Sequence, residues 1–334
     1  MKKLILLFLL AILYSKDVFA EALDLSGYQE PSGAITTLYR GNTVDPYFAT
    51  KALLIAKESG MDTAVPAKAW IKWAISKQDD NGLFHRYARD VHGLWKLYAA
   101  ADADDAALAQ WLQILYSQSP NSGMPKKWSV SASKAQAQLA ELFDTELGIY
   151  YISKSLSVGL LMDNIEIYSA FKSVAHEQKR LGMLNEALLS EYQASRLKDS
   201  IIKVFMEPST GIFRITTQVR YENVFYPDLV AQIYPLLYQL QDKSDAEHSF
   251  HNWIDVNGKE WFKQINSDYP WGLVAITALN MNDANSASCW QNRAEPMRYS
   301  MHWNVLEEAA LQQVKWRLSM RQDNTIPCTH GDLI

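Results

Sequence analysis

The sequence predicts an all-α fold in which helical hairpins are arranged in a ring, with short β-hairpin turns between helices. Two observations carry this prediction. Apolar residues recur at intervals of three and four along most of the 334-residue chain, which is the periodicity of amphipathic helices. Glycine turns followed by an aromatic residue separate the helices at long intervals. The resulting unit is longer than the repeats of ordinary helical solenoids, roughly 34 to 45 residues, and it suits hairpins placed around a ring.

The helical periodicity is strongest in nine segments. They are 45–59, 64–77, 105–117, 131–143, 163–181, 185–206, 228–241, 271–281 and 302–320. In the sixth, Leu188, Tyr192, Leu197 and Ile201 show the spacing of one helix face. Weaker segments bring the total to about eleven helices, close to the twelve that six hairpins require.

Three glycine turns punctuate the helices. Gly82, Gly148 and Gly211 are each followed by an apolar residue and then an aromatic one, and Gly258 begins a looser fourth copy. Glycine adopts a positive φ without strain, so each turn can fold back as a small hairpin. We expect the aromatic residue of each hairpin to pack on helix ends.

After each turn the chain runs on to a helix that opens with acidic or aromatic residues. These openings are 102–105, 163–166, 226–228 and 268–271. In a ring of hairpins the inner helices all begin at the same face, and the long connections after the glycine turns cover that face. The acidic and aromatic residues are therefore expected to converge there.

The N-terminus has the order of a cleavable export signal. Lys2 and Lys3 precede an apolar run at 4–14, and Ala20 supplies a small residue for cleavage. The run is too short for a membrane span of roughly twenty residues. We expect residues 1–20 to be removed, leaving 21–334 as a single domain that is periplasmic or secreted and not inserted in a membrane. Cys289 and Cys328 could pair in such a compartment, and the sequence leaves that open.

Charge and motifs exclude several classes of function. The net charge of −5 argues against nucleic acid or anionic lipid as a partner. The sequence contains no glycine-rich phosphate loop, metalloprotease pair or serine-hydrolase elbow. The seven histidines lack ligand spacing, so neither a metal nor a cofactor is predicted.

Four carboxylates are the candidate catalytic residues: Asp45, Asp102, Asp105 and Asp163. Each stands at a predicted helix start, where aspartate is also a preferred cap, and Asp163 with Glu166 matches a capping box. The catalytic interpretation rests on their expected convergence. In the 102–105 cluster, mutual repulsion would raise at least one pKa, which suits a general acid.

Aromatic and polar residues near the same helix starts are the candidate substrate-binding residues. Aromatic faces stack on sugar rings, and a pair of carboxyl groups can protonate a leaving oxygen and activate water, so the pattern favours a polysaccharide cleft. The candidates are Tyr39, Arg40, Tyr47, Trp95, Asp104, Trp111, Tyr226, Asp228, Asp268 and Trp271.

The N-terminal third resembles family 8 glycoside hydrolases in the order of 39–54, 79–86 and 101–112. The sequence of 101–109 is Ala-Asp-Ala-Asp-Asp-Ala-Ala-Leu-Ala, similar to the family's signature helix but with one extra residue before Leu-Ala. The resemblance implies an (α/α)6 toroid that cuts β-linked glycans. The family's general acid is a Glu in a glycine-rich stretch before the first helix, and here that stretch ends in Asp45 with no Glu. The resemblance therefore extends to the wider clan of six-hairpin glycosidases and polysaccharide lyases.

These observations lead to one main functional hypothesis and three alternatives. The main hypothesis is an exported glycoside hydrolase acting on a bacterial exopolysaccharide or another β-linked glycan, with Asp45 as acid and Asp102 or Asp105 as base. The first alternative is a non-catalytic polysaccharide-binding protein that works with polysaccharide synthesis or export proteins. The second is a polysaccharide lyase, with Asn164, Tyr168, Arg40 and His85 as its candidate residues. The third is a helical scaffold that binds proteins.

Overall fold

The computed structural model describes residues 20–219 and 224–321, and within them it contains eleven α-helices and five short strands. The helices are α1 Pro46–Glu58, α2 Ala64–Ile75, α3 Asp105–Ser117, α4 Lys126–Glu141, α5 Leu161–Arg180, α6 Leu184–Phe205, α7 Tyr234–Leu237, α8 Lys243–Ser267, α9 Gly272–Asn280, α10 Ala284–Ala294 and α11 Val305–Met320. The strands are β1 Thr43–Val44, β2 His85–Arg89, β3 Trp95–Ala100, β4 Phe143–Asp144 and β5 Ile149–Tyr150.

The helices form a closed double ring. The odd-numbered helices pack each against the next from α1 to α11, and α11 packs back against α1. The even-numbered helices pack outside this ring, each against an inner helix beside it in the chain. This arrangement confirms the predicted all-α toroid of helical hairpins.

The core lies between the two layers and along the inner helices. Five tryptophans are fully buried there, at Trp70, Trp111, Trp261, Trp290 and Trp303. Helix α9 is buried along nearly its whole length, as its continuous apolar sequence requires. The inner helices are therefore largely buried along their lengths, and solvent reaches mainly their first and last turns.

The three glycine turns are confirmed. Gly82, Gly148 and Gly211 have φ of +94°, +72° and +72°. The turn at Gly148 joins β4 to β5, and the turn at Gly211 is closed by a bridge between Met206 and Phe213. The aromatic residue two places after each glycine is buried, as expected: Phe84, Tyr150 and Phe213.

The prediction of a fourth glycine turn is wrong. Gly258 lies inside α8, a 25-residue helix that the periodicity did not single out. Its buried residues Phe250, Trp253, Trp261 and Ile265 keep helical spacing through the Asn257-Gly258 pair. Packing of this apolar face outweighs the low helix propensity of glycine, roughly 1 kcal/mol relative to alanine.

The segment predicted as one helix over 228–241 is broken. It consists of a π-helical turn at Phe225–Leu229 and the single-turn helix α7. Pro227 and Pro235 lie in these two pieces, and proline supplies no N–H to a helix interior. The fourth inner position of the ring is therefore irregular, and Tyr226 lies at its start.

Strands β1, β2 and β3 form an antiparallel sheet in that order. β1 leads directly into α1, and β2 carries Arg86 to the same place. β2 and β3 belong to the connection that follows the first glycine turn, and Arg86 on β2 reaches Asp45 at the beginning of α1, as expected.

Two expectations involve residues outside the described ranges. Residues 1–19 of the proposed signal and Cys328 both lie there, so signal cleavage and the Cys289–Cys328 pairing stay predictions. Cys289 itself is buried on α10. Across 20–219 and 224–321, none of the helices has the length and apolar character needed to cross a membrane.

Candidate active site

Asp45 caps the first inner helix and also binds an arginine. One carboxylate oxygen accepts the backbone N–H of Tyr47 at 3.0 Å, and the other accepts Arg86 Nε at 2.8 Å. Arg86 forms a second ion pair with Asp102, just before α3. Burial raises the pKa of Asp45, and the Arg86 charge opposes that shift. Asp45, Arg86 and Asp102 therefore form one ion-pair network between the starts of α1 and α3.

Asp105 and Asp163 lie in the first turns of α3 and α5. Asp105 is fully buried, and Asp163 is 9 % exposed. In each, Oδ2 has no hydrogen-bond partner among the described residues. Burial raises the pKa of Asp163 to about 7, with the Glu166 charge adding to the shift. Burial and then the Asp163 charge raise the pKa of Asp105 well above its usual range. Asp163 thus holds its proton to near neutral pH.

The predicted capping box at Asp163 is wrong. Helix α5 begins at Leu161, its N-cap is Leu160, and no side chain caps it. Asp163 sits inside the first turn, and the Glu166 side chain bonds to Lys51 instead of the helix start. The carboxyl groups of Asp163 and Glu166 therefore do not cap α5, contrary to what their spacing had indicated.

A buried ion pair lies beneath the carboxylates, among the inner helices. Lys51 of α1 pairs with Glu166 of α5 and donates to the hydroxyls of Tyr47 and Tyr234, each at 2.8 Å. Gln110 of α3 donates to Glu166 Oε2 at 2.8 Å. Burial alone would lower the pKa of Lys51, but Glu166 and the tyrosines hold it well above its usual range. Four inner helices thus meet at one buried polar cluster.

Sequence reasoning missed this pair. The signal was a lysine at a position whose helical neighbours Tyr47, Leu54 and Ile55 are apolar or aromatic. A lysine on an apolar helix face requires a buried counter-charge. Which carboxylate supplies it depends on the ring, since Glu166 lies 115 residues away.

An aromatic platform stands beside the carboxylates. Tyr226 stacks on Trp271, with ring centroids 4.7 Å apart and an interplanar angle of 24°. Tyr226 is 51 % exposed. Tyr226 begins the fourth inner position of the ring, whose helix α7 packs against α5, and Trp271 immediately precedes α9, so the platform lies at the face where the inner helices begin. Burial and then the Asp163 charge raise the pKa of Tyr226. Tyr226 and Asp268 also line an open cavity of about 470 Å³.

Glu307 is a further buried carboxyl that was not predicted from the sequence. It lies in the first turn of α11 and accepts the backbone N–H of Gly272 at 2.8 Å. Burial raises the pKa of Glu307 to about 7, and the charge of Asp268 adds to the shift. Its sequence signal was the Asn304 cap three residues earlier, which bonds the N–H groups of Leu306 and Glu307. Glu307 thus links the starts of α9 and α11.

Two other predicted residues at the helix starts have structural contacts. The hydroxyl of Tyr47 bonds Glu166 within the buried cluster, at 3.0 Å. The backbone N–H of Asp104 donates to Ile152 at 2.7 Å, and burial raises the pKa of its carboxyl. Both lie near the site, with Tyr47 beneath it and Asp104 at its edge.

The remaining predicted residues do not join the carboxylates. Trp111 is buried in the core, where its indole donates to Ser131 at 2.9 Å. Trp95 on β3 packs edge-on against Trp73. Tyr39 stacks on Tyr299 with Arg40 over its ring, and Asp228 lines a separate cavity of about 880 Å³. We therefore leave Trp111, Trp95, Tyr39, Arg40 and Asp228 out of the site.

The residues considered for a lyase are not assembled. The Asn164 side chain is bonded to the backbone of Tyr150 and Leu160. Tyr168 is buried, and His85 contacts Asp79 at 3.2 Å. Arg40 is exposed beside Tyr39. No two of these four side chains share a hydrogen bond within the described ranges.

Comparison with known proteins relates the chain to glycosidase structures. No protein-family model and no curated protein sequence matches it. The structure of a glycosidase variant aligns with a TM-score of 0.58 at 11% identity over 89% of this chain and 94% of that one. An alpha-amylase from Clostridium perfringens aligns with 0.54 at 11%, covering 89% and 95%.

A third structure, a mutant of Rex8A from Paenibacillus barcinonensis complexed with xylose, aligns with a TM-score of 0.51 at 10% identity, covering 87% and 85%. At these identities the likeness establishes the fold. The chain shares the fold of these three structures over most of its length.

Proposed function

We propose that this protein is a glycoside hydrolase. The observation that carries the proposal is the gathering of Asp45, Asp102 and Asp163 at the starts of three inner helices, beside the Tyr226–Trp271 platform. A sugar ring can stack on the platform while carboxyl groups reach its glycosidic oxygen. The glycosidase structures that share the fold support the same interpretation.

Asp163 is the proposed general acid. Its pKa of about 7 keeps a proton available near neutral pH, as a general acid requires. Asp45, our choice from sequence, has both oxygens engaged by Tyr47 and Arg86. We therefore reassign Asp45 to holding Arg86, which in turn positions Asp102.

Asp102 is the proposed base that activates water. Its side chain is 81 % exposed and forms an ion pair with Arg86. Asp105 is fully buried, so it does not touch substrate. A base acting through water predicts inversion at the anomeric carbon. Proton NMR of the first-formed product reports the anomer, and a retained configuration would contradict Asp102 as base.

Activity can be tested with purified protein and a panel of bacterial exopolysaccharides and β-linked glucans, xylans and chitosans. We expect reducing sugar to be released, and Asp163→Asn and Asp102→Asn each to lower the rate by at least about a hundredfold. Asp144→Asn is the matched control, because Asp144 is an aspartate in the β4–β5 hairpin outside the site.

Three outcomes would contradict the assignment. Full activity in both site variants would exclude these carboxyls. Tight oligosaccharide binding without release of sugar over days would favour the non-catalytic polysaccharide-binding protein. Unsaturated, ultraviolet-absorbing products would show a lyase.

We further propose that the substrate is met outside the cytosol, as an exopolysaccharide or cell-envelope glycan. The proposal rests on the signal-like residues 1–20. Fractionation of cells that make the full chain, followed by N-terminal sequencing, tests it. A cytosolic protein that retains Met1–Lys3 would contradict it.

A further inference from the structure

A second polar cavity lies at the opposite end of the ring. Inner helices begin at the candidate active site and end here, so α1, α5, α7, α9 and α11 each contribute residues to its wall. The volume is about 580 Å³, within the range of about 300 to 1,000 Å³ typical of small-molecule sites. We call it the exit-face cavity. The lining residues used below are Ser169, Lys172, Asn280, Gln313 and Arg317.

Arg317 is the main charged group of the exit-face cavity. It is partly buried, and Nη1 donates to Asn280 Oδ1 at 2.9 Å. No carboxylate in the described ranges forms an ion pair with it, and burial and then the positive charge of Arg321 lower its pKa. A guanidinium has five N–H donors, so most of those on Arg317 are left for a ligand.

Two further groups have unused bonding capacity. Lys172 stands over the ring of Tyr168 at 5.2 Å and has no carboxylate partner among the described residues. Gln313 is only 3 % exposed, yet its Oε1 accepts no hydrogen bond from the described chain. Buried amide oxygens normally accept a hydrogen bond, so this atom is available to a hydroxyl group of a ligand. The one carboxylate in the wall, Glu58, already accepts from Gln113 at 2.7 Å.

We propose that the exit-face cavity binds a small anionic carbohydrate, a sugar acid or a sugar phosphate. Arg317 and Lys172 would hold the anionic group, since a guanidinium offers paired donors to carboxylate or phosphate. Ser169, Asn280 and Gln313 would bond the sugar hydroxyls. The size of the cavity suits one or two sugar rings. This site is separate from the carboxylate cleft and does not depend on whether that cleft cuts.

A simpler role exists for the basic residues. Arg317 lies in the last turn of α11, where a positive charge offsets the helix dipole without any ligand. That role accounts for the position of Arg317. It does not account for Lys172, which is mid-helix in α5, or for the buried Gln313 oxygen.

Titration calorimetry on the full chain tests the proposal with glucuronate, glucose 6-phosphate, glucose and inorganic phosphate. We expect one of the two anionic sugars to bind, and glucose and inorganic phosphate to bind at least about tenfold more weakly. Arg317→Gln should weaken that binding at least about tenfold, and Lys172→Gln several-fold. Lys203→Gln, an exposed lysine on the outer helix α6, is the matched control and should change nothing.

The outcomes separate the possibilities. If neither anionic sugar binds, or if both variants bind as wild type does, the proposal is overturned. Equal binding of inorganic phosphate would overturn the sugar part. Lys172 is exposed, so its variant should fold even if Arg317→Gln does not. Binding that persists in Asp163→Asn places the ligand outside the cleft, and loss of binding there would overturn a separate site.

Discussion

Replacing Asp163 with asparagine should stabilise the protein at neutral and alkaline pH while abolishing hydrolysis. Burial raises the pKa of Asp163 to about 7 in the folded protein, against about 3.9 in an unfolded chain. Below pH 4 the carboxyl is protonated in both states and does not affect the folding equilibrium. Between pH 4 and pH 7 the unfolded chain releases this proton while the folded protein retains it, so stability is lost progressively and the loss levels off above pH 7.

The size of the effect follows from that shift. A difference of about three pKa units at 1.36 kcal/mol per unit gives about 4 kcal/mol lost between pH 4 and pH 8. Asparagine does not ionise, so Asp163→Asn escapes this loss. The stability advantage of the variant should grow from near zero at pH 4 to a few kcal/mol at pH 8.

Urea unfolding followed by circular dichroism, at pH 4, 6, 8 and 9, measures the difference directly. Asp144→Asn is the control of opposite sign. Hydrogen bonds from the backbone of Leu147 and the hydroxyl of Tyr151 lower the pKa of Asp144, so its contribution to stability is present above its unfolded pKa and lost in acid. A pH-independent difference between Asp163→Asn and wild type would refute the reasoning, as would a variant that is less stable at every pH.

Further substitutions also have defined outcomes. Lys51→Met should cost about 3–5 kcal/mol by leaving Glu166 buried without its counter-charge, and adding Glu166→Leu should recover most of that loss in urea unfolding; an unrecovered loss would contradict the pairing. Tyr226→Ala should raise KM up to about tenfold with kcat little changed, because it removes about 1 kcal/mol of stacking; unchanged steady-state kinetics would remove it from the site. Gly211→Ala should cost about 1–2 kcal/mol in thermal unfolding from its positive φ alone. Gly148→Ala should cost more, because a Cβ there would clash with the hydroxyl of Ser200 on α6; equal costs would show that this contact relaxes.

Local sequence patterns predicted the ring of helical hairpins well. Helical periodicity and the glycine turns depend on neighbours within a few residues, and these survive in the folded chain. The turns at Gly82, Gly148 and Gly211 adopt the conformation that their residues require. Helix α8 was not predicted because Asn257 and Gly258 resemble a turn. Burial of its apolar face against the ring keeps them helical.

The sequence predicted which type of residue forms the candidate site, but not the role of each residue. Aspartates at helix starts indicated where carboxylates would gather, and Asp45 does cap α1. Which carboxyl keeps a proton depends on burial, and Asp163 is buried where Asp102 is exposed. The Lys51–Glu166 pair joins residues far apart in sequence, so no local pattern names the partner.

The seam between α1 and α11 has a consequence for how the chain folds. The backbone N–H of Val305 donates to Thr37 at 2.9 Å, and Leu38 bridges Asn304. These bonds join segments from opposite ends of the described chain, so forming them costs more loop-closure entropy than any hairpin does. We expect this seam to assemble last and to open first. Amide hydrogens at Val305 should then exchange before those of α5, which is held by neighbours on both sides.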